Sequence, residues 1–158
     1  MAILLMWFSP CYGDNYRVYH NARWNFTIPY PADLLVPQGE SANGDGQEFV
    51  SKDRLISMRI SGIYNTLDET LDELYSAESR ESSRTNQVIT YRVRKNNWFV
   101  LSGDIIDDQG KSEIFYKKTI LTNGVIIHFE MRYDKAQKMS LDPIVGRMIQ
   151  SLDVSKVK

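Results

Sequence analysis

Cysteine and histidine are both scarce in this sequence, and their scarcity excludes several kinds of site. The 158 residues contain one cysteine, Cys11, and two histidines, His20 and His128. A single cysteine cannot form an intrachain disulfide, so stability must come from a packed core. Neither histidine has a partner at metal-ligand spacing, and no Gly-x-Ser-x-Gly motif is present. We therefore expect no metal site, no cofactor and no catalytic residue.

An excess of charge of either sign is also missing. The net charge is −1 at pH 7, and there is no long basic run or acidic tail. Nucleic acid and anionic lipid are therefore not favoured as partners. No apolar stretch approaches the ~20 residues that span a bilayer, so we predict no transmembrane segment.

The first thirteen residues, MAILLMWFSPCYG, carry no charged side chain. An apolar stretch is followed by Pro10, and Cys11 and Gly13 fall at the −3 and −1 positions of a cut before Asp14. This pattern predicts a signal-peptide remnant over residues 1–13 and one mature domain over residues 14–158. We expect the protein to be periplasmic or secreted in a bacterium. The basic n-region of a signal peptide is missing, so the alternatives are that the true start lies upstream or that the segment is an ordinary buried strand.

The first half of the mature chain predicts short strands and then a helix. In the segment RLISMRISGI the apolar residues Ile56, Met58 and Ile60 alternate with polar ones, as in a strand with one buried face. In residues 65–81 the period changes, and one helical stripe is predicted. Thr66 and Glu69 form a capping-box pattern at its start. The stripe consists of Leu67, Leu71, Leu74 and Tyr75.

The second half predicts four consecutive strands and a closing helix. Ile89, Tyr91 and Val93 alternate in the first of these strands, and Asn123-Gly124 is a strong hairpin signal. In the last segment Asp142 is a good N-cap, followed by Pro143 in the first turn. Consecutive strands joined by short turns favour an antiparallel sheet, so we predict an α+β fold with the sheet flanked by helices.

Four segments, taken in order, resemble the PsbP-like family. They are FTIPYPADLLVPQGES, GDGQEFVSKDRLISMRISG, TYRVRKNNWFVLSG and YDKAQKMSLDPIVGRMIQSL, within residues 25–152. The fold of this family, an α/β/α sandwich, is shared by the thylakoid PsbP subunit, a fungal Ran-GTPase-binding protein and exported bacterial proteins. The resemblance implies a binding or assembly factor rather than an enzyme, and it transfers no functional residue to this chain.

The glycine-rich loop GESANGDGQEFVSKD, residues 39–53, does not match a known ligand-binding loop. If Gly46 stood at the sixth position of an EF-hand, Lys52 would stand where a bidentate glutamate is required. No Gly-Lys-Ser/Thr follows, so a phosphate-binding loop is excluded as well. We interpret the segment as a turn that enters a strand. A weak cation site at Asp45 and Glu48 is the alternative.

Acidic residues also gather around the hairpin at residues 104–113. Paired carboxylates can perform acid–base chemistry when burial separates their pKa values, so a small hydrolase is the alternative function. At a hairpin tip such residues are more often solvated. The four carboxylates are Asp104, Asp107, Asp108 and Glu113.

Basic residues recur on the polar side of the predicted strands, which would place them on one face if the strands are neighbours. They could be a solvated face balanced by Glu130, a face partly covered by a helix, or a site for another protein with an acidic surface. We favour a non-catalytic exported binding or assembly module. The candidate binding residues are Arg59, Arg92, Arg94 and Arg132, with Lys117 or Lys118 nearby.

Overall fold

The computed structural model describes residues 15–106 and 110–158, without the side chains of residues 82–84. The predicted leader, including Cys11, therefore lies outside the described residues. Neither of the two helices described is long and apolar enough to cross a membrane. The elements are β1 (Tyr16–Asn21), β2 (Phe26–Pro31), β3 (Val36–Glu40), β4 (Gly46–Val50), β5 (Ser57–Tyr64), α1 (Leu71–Arg84), β6 (Gln87–Arg94), β7 (Trp98–Ile106), β8 (Ser112–Thr122), β9 (Val125–Asp134) and α2 (Lys138–Gln150).

Seven strands form an antiparallel sheet in the order β3-β4-β5-β9-β8-β7-β6, and β1 pairs with β2 in a small second sheet. The tight hairpin predicted at Asn123-Gly124 joins β8 to β9, and both residues have the positive φ that such a turn requires. One helix packs on each side of the large sheet. The predicted α+β architecture, an antiparallel sheet flanked by helices, is confirmed.

One side of the large sheet, which we call the α2 face, holds the larger core. The predicted alternation is confirmed here, because Ile56, Met58 and Ile60 are buried. Helix α2 and the β1-β2 sheet cover this side. Gly62 permits the close packing of Trp24, since a Cβ at this glycine would lie 2.6 Å from the indole ring.

The other side, the α1 face, is only partly covered. Leu71 and Leu74 of α1 pack against Phe99, Leu101 and Phe115 in a smaller apolar cluster. The part of this face on β4, β5 and β9 presents polar and charged side chains instead. The α1 face therefore has a covered half and an open half.

The predicted start of α1 is wrong by one helical turn. The chain contains the tetrapeptide Thr-Leu-Asp-Glu twice in succession, and the helix uses the second copy. The Thr70 hydroxyl accepts from the Glu73 backbone N–H, and the Glu73 carboxylate accepts from the Thr70 backbone N–H at 2.8 Å. Leu67, expected on the buried stripe, is 79% exposed.

The predicted start of α2 is also wrong. The helix begins at Lys138, after a 3₁₀ turn over Lys135–Gln137, and Pro143 lies inside it. Asp142 does not cap the helix; it accepts a hydrogen bond from the Tyr133 hydroxyl at 2.8 Å. The helix extends toward its N-terminus beyond the predicted start signal at Asp142-Pro143, and the burial of Leu141 stabilises this extra turn.

A β-bulge changes the predicted phase of β6. Ile89 lies opposite Gly103 and Tyr91 lies opposite Ser102, so one extra residue stands between them. Ile89 therefore packs in the α1-face cluster, while Tyr91 lies on the α2 face and is half exposed. The prediction that Ile89, Tyr91 and Val93 share one face is wrong.

Candidate functional site

A row of directly opposed residues crosses five strands of the α1 face. Arg59 of β5 lies opposite Glu130 of β9, which lies opposite Lys117 of β8. Lys117 faces Leu101 of β7, and Leu101 faces Arg92 of β6. Because opposed residues project from the same side of a sheet, Arg59 and Arg92 share the α1 face.

The two other candidate arginines lie on the same face, each two residues along its strand. Arg94 follows Arg92 on β6, and Arg132 follows Glu130 on β9. Arg59 and Arg92 are four strand spacings apart, or about 19 Å at ~4.8 Å per strand. Helix α1 packs over the strands between them. The face therefore has an edge pair, Arg92 and Arg94, and an open-half pair, Arg59 and Arg132.

One arginine of each pair is held by an internal carboxylate. Arg132 Nε lies 2.5 Å from a Glu130 carboxylate oxygen, and Arg94 pairs with Asp72 of α1. Arg59 and Arg92 form no salt bridge with any residue in 15–106 or 110–158. Since exposed ion pairs contribute only ~0–1 kcal/mol, an external carboxylate can replace either internal partner at little cost.

The most enclosed polar group on this face is a cluster between α1 and the sheet. The Thr119 hydroxyl of β8 donates to Glu78 Oε1 at 2.6 Å. His128 Nδ1 of β9 lies 3.2 Å from the same hydroxyl and 3.5 Å from Glu78 Oε1. Thr119 is 1% exposed, whereas the His128 side chain is 38% exposed and, with Glu78, lines a depression of 270 Å³ on this face. The arrangement fixes α1 to the sheet and keeps the Thr119 hydroxyl buried.

Burial is the main cause of the pKa shifts of the two ionisable members of this cluster, Glu78 and His128. It raises the pKa of Glu78, against the lowering effects of the Thr119 hydrogen bond and the Lys117 charge. It lowers the pKa of His128, and the Lys117 ammonium lowers it further. No partner at metal-ligand spacing was expected for His128, and Glu78 was not predicted as its neighbour. The available signal is that Glu78 continues the stripe of Leu71 and Leu74 at helical spacing.

Three shallow depressions of 590, 270 and 220 Å³ lie side by side on the open half and share Arg59. Acidic and basic groups alternate along them, with Glu48 and Glu130 directly opposite Arg59 on its two neighbouring strands. This surface can bind charged groups of either sign, but it does not concentrate positive charge.

The glycine-rich loop is a turn, as interpreted. Arg23 Nη1 lies 2.8 Å from Asp45, and the Asn43 amide also donates to this carboxylate. The Ser41 hydroxyl accepts from the Asp45 backbone N–H at 3.0 Å. Glu48 lies on β4 beyond the loop. The Asp45 carboxylate and the Ser41 hydroxyl are thus already bonded to protein groups.

The carboxylates of the 104–113 hairpin do not form a group among the residues described. Asp104 pairs with Lys135 at 2.6 Å, and Glu113 pairs with Lys111 at 3.5 Å. Asp107 and Asp108 lie outside the described residues. In 15–106 and 110–158, no three histidine, cysteine or acidic residues gather in a way that could hold a metal ion.

No family model and no curated protein sequence matches the chain, whereas solved structures do. PsbP from the cyanobacterium Synechocystis, called CyanoP, superposes with a TM-score of 0.65 at 10% identity, over 92% of this chain and 98% of that one. The chain has a PsbP-like fold.

Two further structures agree with this assignment. LpqN of Mycobacterium tuberculosis, which is involved in cell envelope biogenesis, matches with a TM-score of 0.57 at 12% identity, over 87% of this chain and 89% of that one. A Pseudomonas aeruginosa protein of unknown function matches with a TM-score of 0.57 at 11% identity, over 88% and 96%. At such identities the likeness shows the PsbP-like fold alone.

Proposed function

We propose that this protein is an exported, non-catalytic binding module whose partner is another protein with an acidic surface. The observation that carries the proposal is the outer edge of the sheet. Here β6 presents Arg92 and Arg94, and its outer side pairs with no strand in residues 15–106 or 110–158. The burial of the Thr119 hydroxyl, which is already bonded to Glu78, supports a role without catalysis.

Strand β6 has the features of a strand-addition site. It is the last strand of the sheet, so its outer N–H and C=O groups are not paired with another described strand. Val88 and Tyr91 on the same strand are half exposed. An extended acidic segment could pair with this edge through backbone hydrogen bonds and place carboxylates at Arg92 and Arg94.

The open-half pair is the second contact in this proposal. Arg59 and Arg132 lie too far from β6 to bind the same short segment, but a folded partner that reaches around α1 would touch both regions. Because Glu48 and Glu130 surround Arg59, this contact should contribute less affinity than the edge pair.

Export is part of the proposal, and its support is the uncharged leader together with the envelope role of LpqN, which shares the fold. Mass spectrometry of the native protein should give a mature N-terminus near Asp14, outside the cytoplasm. An intact Met1 on a cytoplasmic protein would contradict this part.

Pull-down from native cell extract tests the binding residues. The wild-type protein is compared with three double variants: Arg92→Ala/Arg94→Ala, Arg59→Ala/Arg132→Ala, and the charge-matched control Arg17→Ala/Lys156→Ala. We expect the edge variant to lose most of the captured partner, the open-half variant to lose less, and the control to lose none. Capture should also weaken as salt concentration rises, because exposed charges are screened.

Thermal melts of the same variants separate binding from folding. Equal capture by all four proteins would remove the arginines as binding residues. Unfolding of the edge variant would show that Arg92 and Arg94 stabilise the fold instead of binding a partner.

A further inference from the structure

A cavity of about 440 Å³ lies on the opposite side of the sheet, against the first turns of α2. It is independent of the arginines, because its walls come from the α2 face and the bulged part of β6. Its volume is within the ~300–1,000 Å³ typical of small-molecule pockets. Gly146 of α2 lies in its wall, and a Cβ at this position would meet no atom within 4 Å.

Two carboxylates in the cavity wall already bind ammonium groups of the protein itself. Lys135 Nζ lies 2.6 Å from Asp104, and the Lys138 ammonium pairs with Asp142. Asp104 is 18% exposed, whereas Lys135 is 54% exposed. Both residues line the cavity, and the acid is the more buried member of the pair.

A ligand ammonium group could take the place of either lysine at little cost. It would donate the same charge-assisted hydrogen bonds to the carboxylate. The released lysine would regain water contacts and rotamer freedom, and a partly exposed ion pair holds it only weakly. Asp142 would keep its hydrogen bond from the Tyr133 hydroxyl and remain in position.

The remaining wall suits an apolar ring that carries a positive charge. Tyr91, Tyr116 and Tyr133 line the cavity together with Ile114 and Val145. Burial raises the pKa of Tyr116 to about 12, so its hydroxyl stays neutral at physiological pH. Aromatic rings also attract a cation through their faces.

We propose that this cavity binds a small primary amine on an apolar ring, with the ammonium group on Asp104 or Asp142 and the ring against the tyrosines and Val145.

Isothermal titration of the full chain with three matched probes tests the ligand class. Phenethylamine, phenethyl alcohol and phenylacetate share one ring and differ in the charge of the head group. We expect phenethylamine to bind at least about tenfold more tightly than either of the others.

Variants of the protein locate the site. Removal of the carboxylate that holds the ammonium group, by Asp142→Asn or by Asp104→Asn, should weaken amine binding several-fold, and Gly146→Leu, which adds a large side chain to the cavity wall, should weaken it as well. Lys138→Met should strengthen amine binding, because it removes the internal competitor for Asp142. Loss of folding cannot imitate this increase. Gln150→Leu, an exposed change on the same helix, is the control and should leave binding unchanged.

Three outcomes would overturn the proposal. The first is that no probe binds, and the second is that phenylacetate binds best, which would show a site for anions. The third is that Lys138→Met weakens amine binding, which would show that the lysine recognises the ligand.

Discussion

The two helices lie on opposite sides of one sheet, and they are stabilised in different ways. Helix α2 has no side-chain cap at its N-terminus and contains Pro143, yet it buries five apolar side chains. Helix α1 begins at the Thr70–Glu73 capping box, buries few apolar groups and fixes a carboxylate to the sheet. Tertiary burial holds α2, whereas local hydrogen bonds and a polar cluster contribute much of what holds α1.

The strongest test of this comparison uses one buried phenylalanine from each side. Phe129 on the α2 face and Phe99 on the α1 face are almost fully buried, and each contacts a tyrosine edge-to-face. Truncation to alanine should cost ~3–5 kcal/mol, with Phe129→Ala at the upper end because its larger cluster can close the cavity less easily. Urea unfolding measures the loss of stability in both variants. A larger loss for Phe99→Ala would reverse the comparison.

The second test concerns the polar cluster under α1 and uses pH. Because burial raises the pKa of Glu78, its protonated form favours the folded state. This contribution is full below the ordinary carboxyl pKa of 4.5 and is lost as pH rises through the raised value. Glu78→Gln keeps an acceptor for Thr119 but does not titrate, so the variant should gain stability relative to wild type as pH rises.

The histidine of the same cluster provides the control of opposite sign. Burial lowers the pKa of His128, so its contribution is full above the ordinary value of 6.5 and is lost as pH falls through the lowered value. The His128→Gln variant should therefore gain stability relative to the wild type as pH falls. The test is the free energy of unfolding of the wild type and of both variants, measured from below pH 4.5 to above pH 6.5. Differences that do not vary with pH in either variant would contradict the assigned roles.

A smaller effect is expected at the start of α1, where the chain offers an internal control. Thr70→Ala removes the hydroxyl that caps the helix and should cost ~1 kcal/mol. Thr66→Ala changes the same residue of the unused copy of the motif and should cost almost nothing. Thermal melts of the two variants provide the measurement. Equal losses would show that the first copy also stabilises the helix.

The smallest effect is expected for the arginines. Arg92→Ala and Arg94→Ala should each change stability by less than ~0.5 kcal/mol, because both side chains are exposed. Arg59→Ala should be similar, although it lies between two acids on its neighbouring strands. If thermal melts show that a variant loses several kcal/mol of stability, the arginine is a structural residue of the α1 face.

The candidate site could be predicted in part. Alternation along each strand puts Arg59, Arg92 and Arg132 on the polar side, and the sheet places all of them on the α1 face. The separation into two pairs could not be predicted, because it depends on where α1 packs. Glu78 was missed, although its spacing from Leu71 puts it on the buried stripe of the helix.

The sequence by itself determined the features whose cause is local. The alternation of Met58 and Ile60 produces a half-buried strand, and Asn123-Gly124 adopts the positive φ angles of a tight hairpin. Only the tertiary structure decided which Thr-Leu-Asp-Glu copy caps α1, where α2 begins and which face Tyr91 occupies. The physical reason is that the local signals compete at only ~1 kcal/mol, while burying one large apolar side chain contributes ~1.5–3 kcal/mol and determines the outcome.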